Sequence, residues 1–148
     1  MKRIYLFIYY IFAQYLPKST TPLIGKPARK LRRFLCSRFF SKCGKGLNIE
    51  NNVYLGNGKD IEVGDYVGLS SRFKTLNRVL KIGNEVMIGE DTIFLGGVHK
   101  HDRLDIPIGK QGGGGKTPLE IKDDVWIGVR VIVLPGCKKI GTGVIIGA

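Results

Sequence analysis

Histidine, cysteine and tryptophan are scarce in this 148-residue chain, which holds two, three and one of them respectively. Cys36, Cys43 and Cys137 form no CxxC pair and no metal-ligand spacing, so neither a disulfide framework nor a cysteine metal site is encoded. A reduced, cytosolic protein without a bound metal is the simple expectation. No apolar run approaches the roughly twenty residues that a membrane-spanning helix needs. Acidic residues are missing from one stretch altogether: residues 1–45 carry eleven Lys or Arg and no Asp or Glu. The remainder is close to neutral, with thirteen basic and twelve acidic residues. The basicity therefore belongs to the N-terminal segment.

What is abundant is a hydrophobic pulse of period six. One rail runs Leu47, Val53, Ile61, Val67, Phe73, Leu80, Val86, Thr92, Leu119, Val125, Val131 and Val144. A second follows two residues later: Ile49, Leu55, Val63, Leu69, Thr75, Ile82, Ile88, Phe94, Ile121, Ile127, Val133, Ile140 and Ile146. Glycine trails this second rail at Gly56, Gly64, Gly83, Gly89, Gly128, Gly141 and Gly147. A period of six suits neither an amphipathic helix nor a long alternating strand. It suits a solenoid in which each hexad is a short strand plus a turn, with three sides closing a triangular coil. Gly, Asn and Asp are expected at the corners for their backbone freedom. Thirteen hexads are counted, with phase slips at Asn57–Asp60, near Asn77 and at Cys137. The chain ends inside a hexad at Gly147-Ala148, which would leave an open edge and suggests a fragment of a longer protein.

The N-terminal segment 1–45 reads differently. Ile4–Leu16 is a thirteen-residue apolar run with Gln14 as its one overtly polar residue, and its tyrosines favour a water–lipid boundary. Ala28–Phe40 places Leu31, Phe34, Leu35 and Phe39 at roughly helical spacing among basic residues. The segment is read as a pair of helices that docks on an anionic membrane surface or caps the coil. A signal sequence is a third reading, weakened by the lack of a small-x-small cleavage site before Pro17. Nucleic-acid binding would explain the charge but not the apolar run beside it, so no nucleic-acid partner is expected.

One long break interrupts the repeat, at residues 95–118, and it contains both histidines, His99 and His101, with Asp102, Arg103 and Asp105. A coil tolerates an insertion at a corner, and such excursions commonly carry function. Gly112–Gly115 reads as a mobile turn; it lacks the context of a P-loop and receives no phosphate role.

The hexads Ile82-Gly-Asn-Glu-Val-Met-Ile-Gly89 and Ile121-Lys-Asp-Asp-Val-Trp-Ile-Gly128, followed by Val131-Ile-Val-Leu-Pro-Gly136, resemble those of the hexapeptide-repeat acyltransferases. Within them the chain resembles the bacterial sugar O-acetyltransferases of galactoside or maltose type and of capsular or exopolysaccharide type. The resemblance covers about residues 45–148. It implies an all-β solenoid, a left-handed parallel β-helix over 46–148 with a helical segment before it, assembled as a homotrimer with acetyl-CoA as donor. It implies His99 as the catalytic base, with His101 as the fallback. It further implies Trp126, Val129 and Ala148 near the CoA arm, and Asn77 as an acceptor contact. The expected site lies between subunits, the acceptor is a sugar or glycan hydroxyl, and the setting is cytoplasmic, peripheral to the membrane's inner face.

Such a transfer needs a base for the hydroxyl proton, and imidazole suits it, with an ordinary pKa of about 6.5. Asp102 or Asp105 are the local candidates to orient it. An acyl-cysteine route is disfavoured because no cysteine accompanies the histidine loop. Trp126 could instead be a large residue at the core edge. Serine-type or amino-sugar acyl transfer on the same fold is the alternative activity, and a non-catalytic solenoid is the alternative class. A zinc hydratase of the same architecture needs three His ligands, which two histidines cannot supply.

Overall fold

In the computed structural model, which describes residues 2–148, two helices precede a run of thirteen short strands. Helix α1 spans Lys2–Ile11 and α2 spans Gly25–Phe39, joined through a single 3-10 turn at Ala13–Tyr15. The strands are β1 (Lys42–Cys43), β2 (Asn48–Ile49), β3 (Ile61–Val63), β4 (Gly68–Leu69), β5 (Lys74–Leu76), β6 (Arg78–Ile82), β7 (Met87–Ile88), β8 (Ile93–Leu95), β9 (Thr117–Ile121), β10 (Trp126–Ile127), β11 (Ile132–Val133), β12 (Lys139–Ile140) and β13 (Ile145–Ile146).

These strands form three parallel sheets: β1-β3-β6-β9-β12, β2-β4-β7-β10-β13 and β5-β8-β11. Consecutive strands visit the sheets in rotation, so the chain winds a three-sided parallel coil. Tyr54 continues the third side one coil earlier, through a parallel bridge to Lys74. Register is kept coil to coil; Ile127, for example, lies beside Ile88 on one side and Ile146 on the other. Both rails point inward. Every residue of the two rails is buried except Val131, Val144 and Ile146, which are half-buried and pack against the same core. Burying one such aliphatic side chain is worth about 1.5–3 kcal/mol, which is why the period dominates the sequence. Lys42 and Cys43, assigned from sequence to the helical segment, pair with Glu62 and Val63 and so belong to the coil.

Among the glycines after the second rail, Gly56 takes the left-handed torsion expected of a corner, but Gly64 and Gly89 have a different cause. Left-handed backbone falls at Gly46, Tyr66, Glu85, Asp124 and Gly143 on one corner and at Asn52, Arg72, Asp91 and Arg130 on the next. Each of these residues stands directly before a first-rail residue. Gly64 and Gly89 are not among them. A Cβ on Gly64 would lie 2.6 Å from the carbonyl oxygen of Gly83, and one on Gly89 would lie 2.5 Å from that of Gly128. These glycines are required by the close approach of successive coils, which leaves no room for a methyl group.

The helices close one end of the coil. The buried stripe of α2 is Ala28, Arg32, Leu35, Cys36 and Phe39, while Phe34 is exposed. Tyr9 of α1 is fully buried and donates its hydroxyl to the carbonyl of Val53 at 2.8 Å. Arg32, also fully buried, donates to the carbonyls of Ile49 (2.6 Å), Leu16 (3.0 Å) and Pro17 (3.1 Å), and its guanidinium lies 3.5 Å from Glu50. Glu50 also accepts from the backbone N–H of Ser19 at 2.8 Å and from the Asn48 amide at 3.0 Å. Burial opposes ionisation of Glu50, but the Ser19 and Asn48 bonds and the Arg32 charge together hold its pKa below the ordinary value. Capping of the coil is therefore built into residues 2–40. No helix among the described residues is long and apolar enough to cross a membrane.

Candidate active site

All the departures from period six fall on one edge of the coil. The strand order puts Asn57–Asp60, Asn77, residues 96–116 and Leu134–Lys138 each between a strand or bridge of the third sheet and the next strand of the first sheet. The remaining two corners keep strict spacing. An edge at which every coil is irregular is one whose shape is set by something other than coil stacking.

The long excursion leaves β8 at this edge and returns through β9. Its root packs on Asn77: a Cβ on Gly97 would lie 3.3 Å from the Cβ of Asn77, and Thr117 N–H donates to the Asn77 carbonyl at 3.1 Å. Residues 98–100 then run antiparallel to the glycine run. His99 bridges to Gly113, Lys100 N–H donates to the Gly112 carbonyl at 3.0 Å, and Gly114 N–H donates to the Val98 carbonyl at 2.6 Å. The glycine run is thus a backbone partner for the histidine segment, pinned at two points.

Both imidazoles are exposed. Nδ1 of His101 lies 3.0 Å from the carbonyl oxygen of His99. A nitrogen facing a carbonyl carries the proton, which leaves Nε2 of His101 as the acceptor. Among the described residues no carboxylate hydrogen-bonds either ring. Asp105 is held instead by Arg103, whose Nε donates to it at 2.9 Å, and that contact keeps the Asp105 carboxyl below the ordinary range. Gln111 pins the same turn, donating to the carbonyls of Arg103 (2.7 Å) and Ile106 (3.0 Å). Asp102 is exposed.

Asn77 lines a cleft of about 220 Å³ with Tyr54, Asn57, Asp60, Thr75 and Lys116. Lys116, at the end of the excursion, pairs with Asp60. Beneath it lies Arg78, which sequence inspection missed. It is buried, points inward from β6, and has no acidic partner. It donates instead to the carbonyls of Pro118 (3.1 Å), Cys137 (3.1 Å) and Leu134 (2.6 Å), and burial lowers its pKa. The alternation Arg78, Leu80, Ile82 was the available signal, because it puts the arginine on the core-facing side of the strand.

The residues expected near a CoA arm sit elsewhere. Trp126 points outward, half-exposed, in register with Met87 and Ile145 on the outer face of the second sheet. A core-edge role for it does not hold. Val129 and Ala148 share the corner between the second and third sheets, where a Cβ on Gly128 would lie 3.1 Å from the Ala148 nitrogen. This corner and the histidine edge bound the same outer face, that of the third sheet. The face is largely apolar, with Leu76, Ile93, Leu95, Ile132 and Leu134 directed outward and Lys74 as the cation beside Ile93. One chain therefore brings Asn77 to the histidine loop, and Val129 to Ala148, but leaves the two groups on opposite borders of one face. Two of the three thiols offer little nucleophilicity: burial pushes those of Cys36 and Cys43 up, disfavouring thiolate. No group of three or more candidate metal ligands exists among the described residues.

No family model matches this chain. It is 28% identical over 137 residues to a galactoside O-acetyltransferase of Lactococcus lactis, a match covering 90% of this chain and 62% of that protein. It is 41% identical over 70 residues to a Schizosaccharomyces pombe protein provisionally named an acetyltransferase, covering 47% of this chain and 32% of that protein. A Mycobacterium tuberculosis protein, also provisionally named an acetyltransferase, is 33% identical over 101 residues, covering 67% of this chain and 33% of its own length. The chain thus spans between a third and two thirds of the curated relatives it matches. The crystal structure of a hexapeptide-repeat-containing acetyltransferase from Vibrio cholerae, complexed with acetyl coenzyme A, superimposes with a TM-score of 0.63 at 20% identity, covering 99% of this chain and 79% of that one. That likeness shows a shared fold.

Proposed function

We propose that this chain is the hexapeptide-repeat core, wound left-handed, of an acetyl-CoA-dependent O-acetyltransferase acting on a sugar or glycan hydroxyl. The observation that carries the reading is the concentration of irregularity on one edge, where the histidine loop, Asn77 and the polar cleft meet. The acetyltransferase names of the relatives and the acetyl-CoA in the structural neighbour support it.

In this reading His99 takes the proton from the acceptor hydroxyl as its oxygen attacks the thioester carbonyl. The C–O bond forms, the C–S bond of the tetrahedral intermediate breaks, and the imidazolium returns the proton to the CoA thiolate. Backbone N–H groups stabilise the oxyanion. His101 is the second candidate, because its Nδ1 is already directed at a carbonyl. The apolar outer face of the third sheet supports assembly as a homotrimer. Packing that face against a neighbouring chain would bring the Val129–Ala148 corner of one chain toward the histidine edge of another. The reading includes a cytoplasmic setting peripheral to the membrane.

The test is acetyl transfer to a panel of sugar hydroxyls by the full-length protein and its His99→Ala and His101→Ala variants. Loss of the general base is expected to lower turnover by roughly two to four orders of magnitude with the fold intact. Near wild-type turnover by His99→Ala moves the base to His101. Unimpaired turnover by both variants, or no transfer from acetyl-CoA to any hydroxyl, refutes the reading.

A further inference from the structure

The helical cap leaves an apolar face uncovered. Ile4, Phe7 and Ile11, at spacings of three and four residues, share one side of α1 opposite the buried Tyr9 and are each more than half exposed. Phe12, Tyr15, Leu23 and Ile24 extend the exposed apolar surface beyond the helix. Capping the coil does not require these side chains, because Tyr9, Ala13, Leu35 and Phe39 already fill that role. Exposed aromatic and aliphatic residues in this density mark an interaction surface.

What surrounds the face identifies its partner. The neighbouring helix presents Lys26, Arg29, Lys30 and Arg33 to solvent, and no carboxylate occurs before Glu50. Lys30, Arg33 and Lys45 line an open groove of about 490 Å³ together with Phe34 and Ser37. Only Asp65 approaches these three cations among the described residues, 3.9 Å from Lys45. Phe34 joins the groove to α1, since its ring makes a T-shaped contact with Tyr5 at 6.0 Å between centroids and carries Arg38 over it at 4.9 Å. An apolar partner would suit the face alone, and nucleic acid the cations alone. We infer that α1, the 12–24 connector and the groove of α2 form one docking surface for an anionic phospholipid bilayer. The side chains of Phe7 and Ile11 enter the acyl boundary, while Lys30 and Arg33 engage headgroup phosphates. The inference rests on the peripheral setting proposed above and is independent of the transfer chemistry.

Co-flotation of the full-length protein with phosphatidylglycerol vesicles, without acetyl-CoA or acceptor, tests it apart from catalysis. Strong binding at low salt, weaker binding at high salt, and little binding to pure phosphatidylcholine are expected. Lys30→Ala/Arg33→Ala should weaken binding about thirtyfold, at roughly 1 kcal/mol for each cation near the surface. Phe7→Glu/Ile11→Glu should weaken it further still, with unchanged circular dichroism because both side chains are exposed. Equal flotation of wild type and both variants, or no flotation of wild type at low salt, overturns the inference. So does a change of oligomeric state in Phe7→Glu/Ile11→Glu without a change in vesicle binding, which would make the face a contact between copies.

Discussion

Arg78 is the residue whose replacement most directly tests how the irregular edge is held. Its guanidinium is buried without a carboxylate and donates to carbonyls on two later coils: Pro118 where the excursion returns, and Leu134 and Cys137 where the phase slips again. Hydrogen bonds from a charged donor contribute about 1.5–3 kcal/mol each. Three such bonds, with a longer fourth to the Val133 carbonyl at 3.4 Å, are opposed by the desolvation of the cation and of its unpartnered Nε, which costs several kcal/mol after relaxation. The difference is a net stabilisation of about 2–4 kcal/mol, expected to vanish in Arg78→Met, which fills similar space without a donor. Arg78→Lys should fall between the two, because one ammonium cannot span carbonyls from both coils. Urea unfolding should show a lower midpoint with an unchanged slope. Acetyl transfer measured where Arg78→Met is fully folded should also drop, since the excursion returns through the strand that Arg78 pins. If Arg78→Met unfolds within about 0.5 kcal/mol of wild type, the desolvation cost cancels the bonds and Arg78 does not hold the edge.

Three other outcomes are expected. Gly89→Ala should lose about 1–3 kcal/mol, because its new methyl would lie 2.5 Å from the backbone of Gly128, whereas Gly136→Ala, with nothing within 4 Å, should be neutral or slightly stabilising; paired thermal melts decide. Glu50 has a folded-state pKa below its unfolded one, so its contribution to holding the helical cap is complete above about pH 4.3 and is lost as pH falls through the depressed folded value. Amide exchange of α1 and α2 over that range should rise in wild type and be less pH-dependent in Glu50→Gln. Trp126→Ala should leave stability nearly unchanged, its side chain being half outside, while raising the KM for acetyl-CoA about tenfold if the pantetheine arm packs on it; an unchanged KM removes Trp126 from the donor site.

The coil was legible because its signal is repeated: the aliphatic rails that announce period six are the residues the structure buries. The glycines were legible as a pattern but not as a cause. Sequence places Gly64 and Gly89 at corners, and only coil stacking reveals that the adjacent backbone excludes a methyl group. Non-glycine residues such as Tyr66, Arg72 and Glu85 take the left-handed torsions instead, at about 1 kcal/mol or more each, because the closed coil overdetermines them. Arg32 and Arg78 were overlooked because charge was read as exposure. Both stand at core-facing positions by simple periodicity, i+4 from Ala28 in α2 and i−2 from Leu80 in β6.

The candidate site was legible only where it breaks the repeat. His99 and His101 stood out because they lie in the one long excursion, and Asn77 because it slips the phase. That these features share an edge with Asn57–Asp60 and Cys137 cannot be read along the chain, because it depends on which sheet each strand enters. The carboxylates illustrate the limit: Asp102 and Asp105 are near the histidines in sequence, yet Arg103 claims Asp105 two residues away. Local proximity in a loop is resolved by whichever cation is closest, and Arg103 offers a forked donor that an imidazole does not. His99 has no carboxylate partner among the described residues, so a group from outside its excursion joins Asp102 as a candidate to orient it. The apolar face beside that edge gives a physical reason for a second chain to supply such a group.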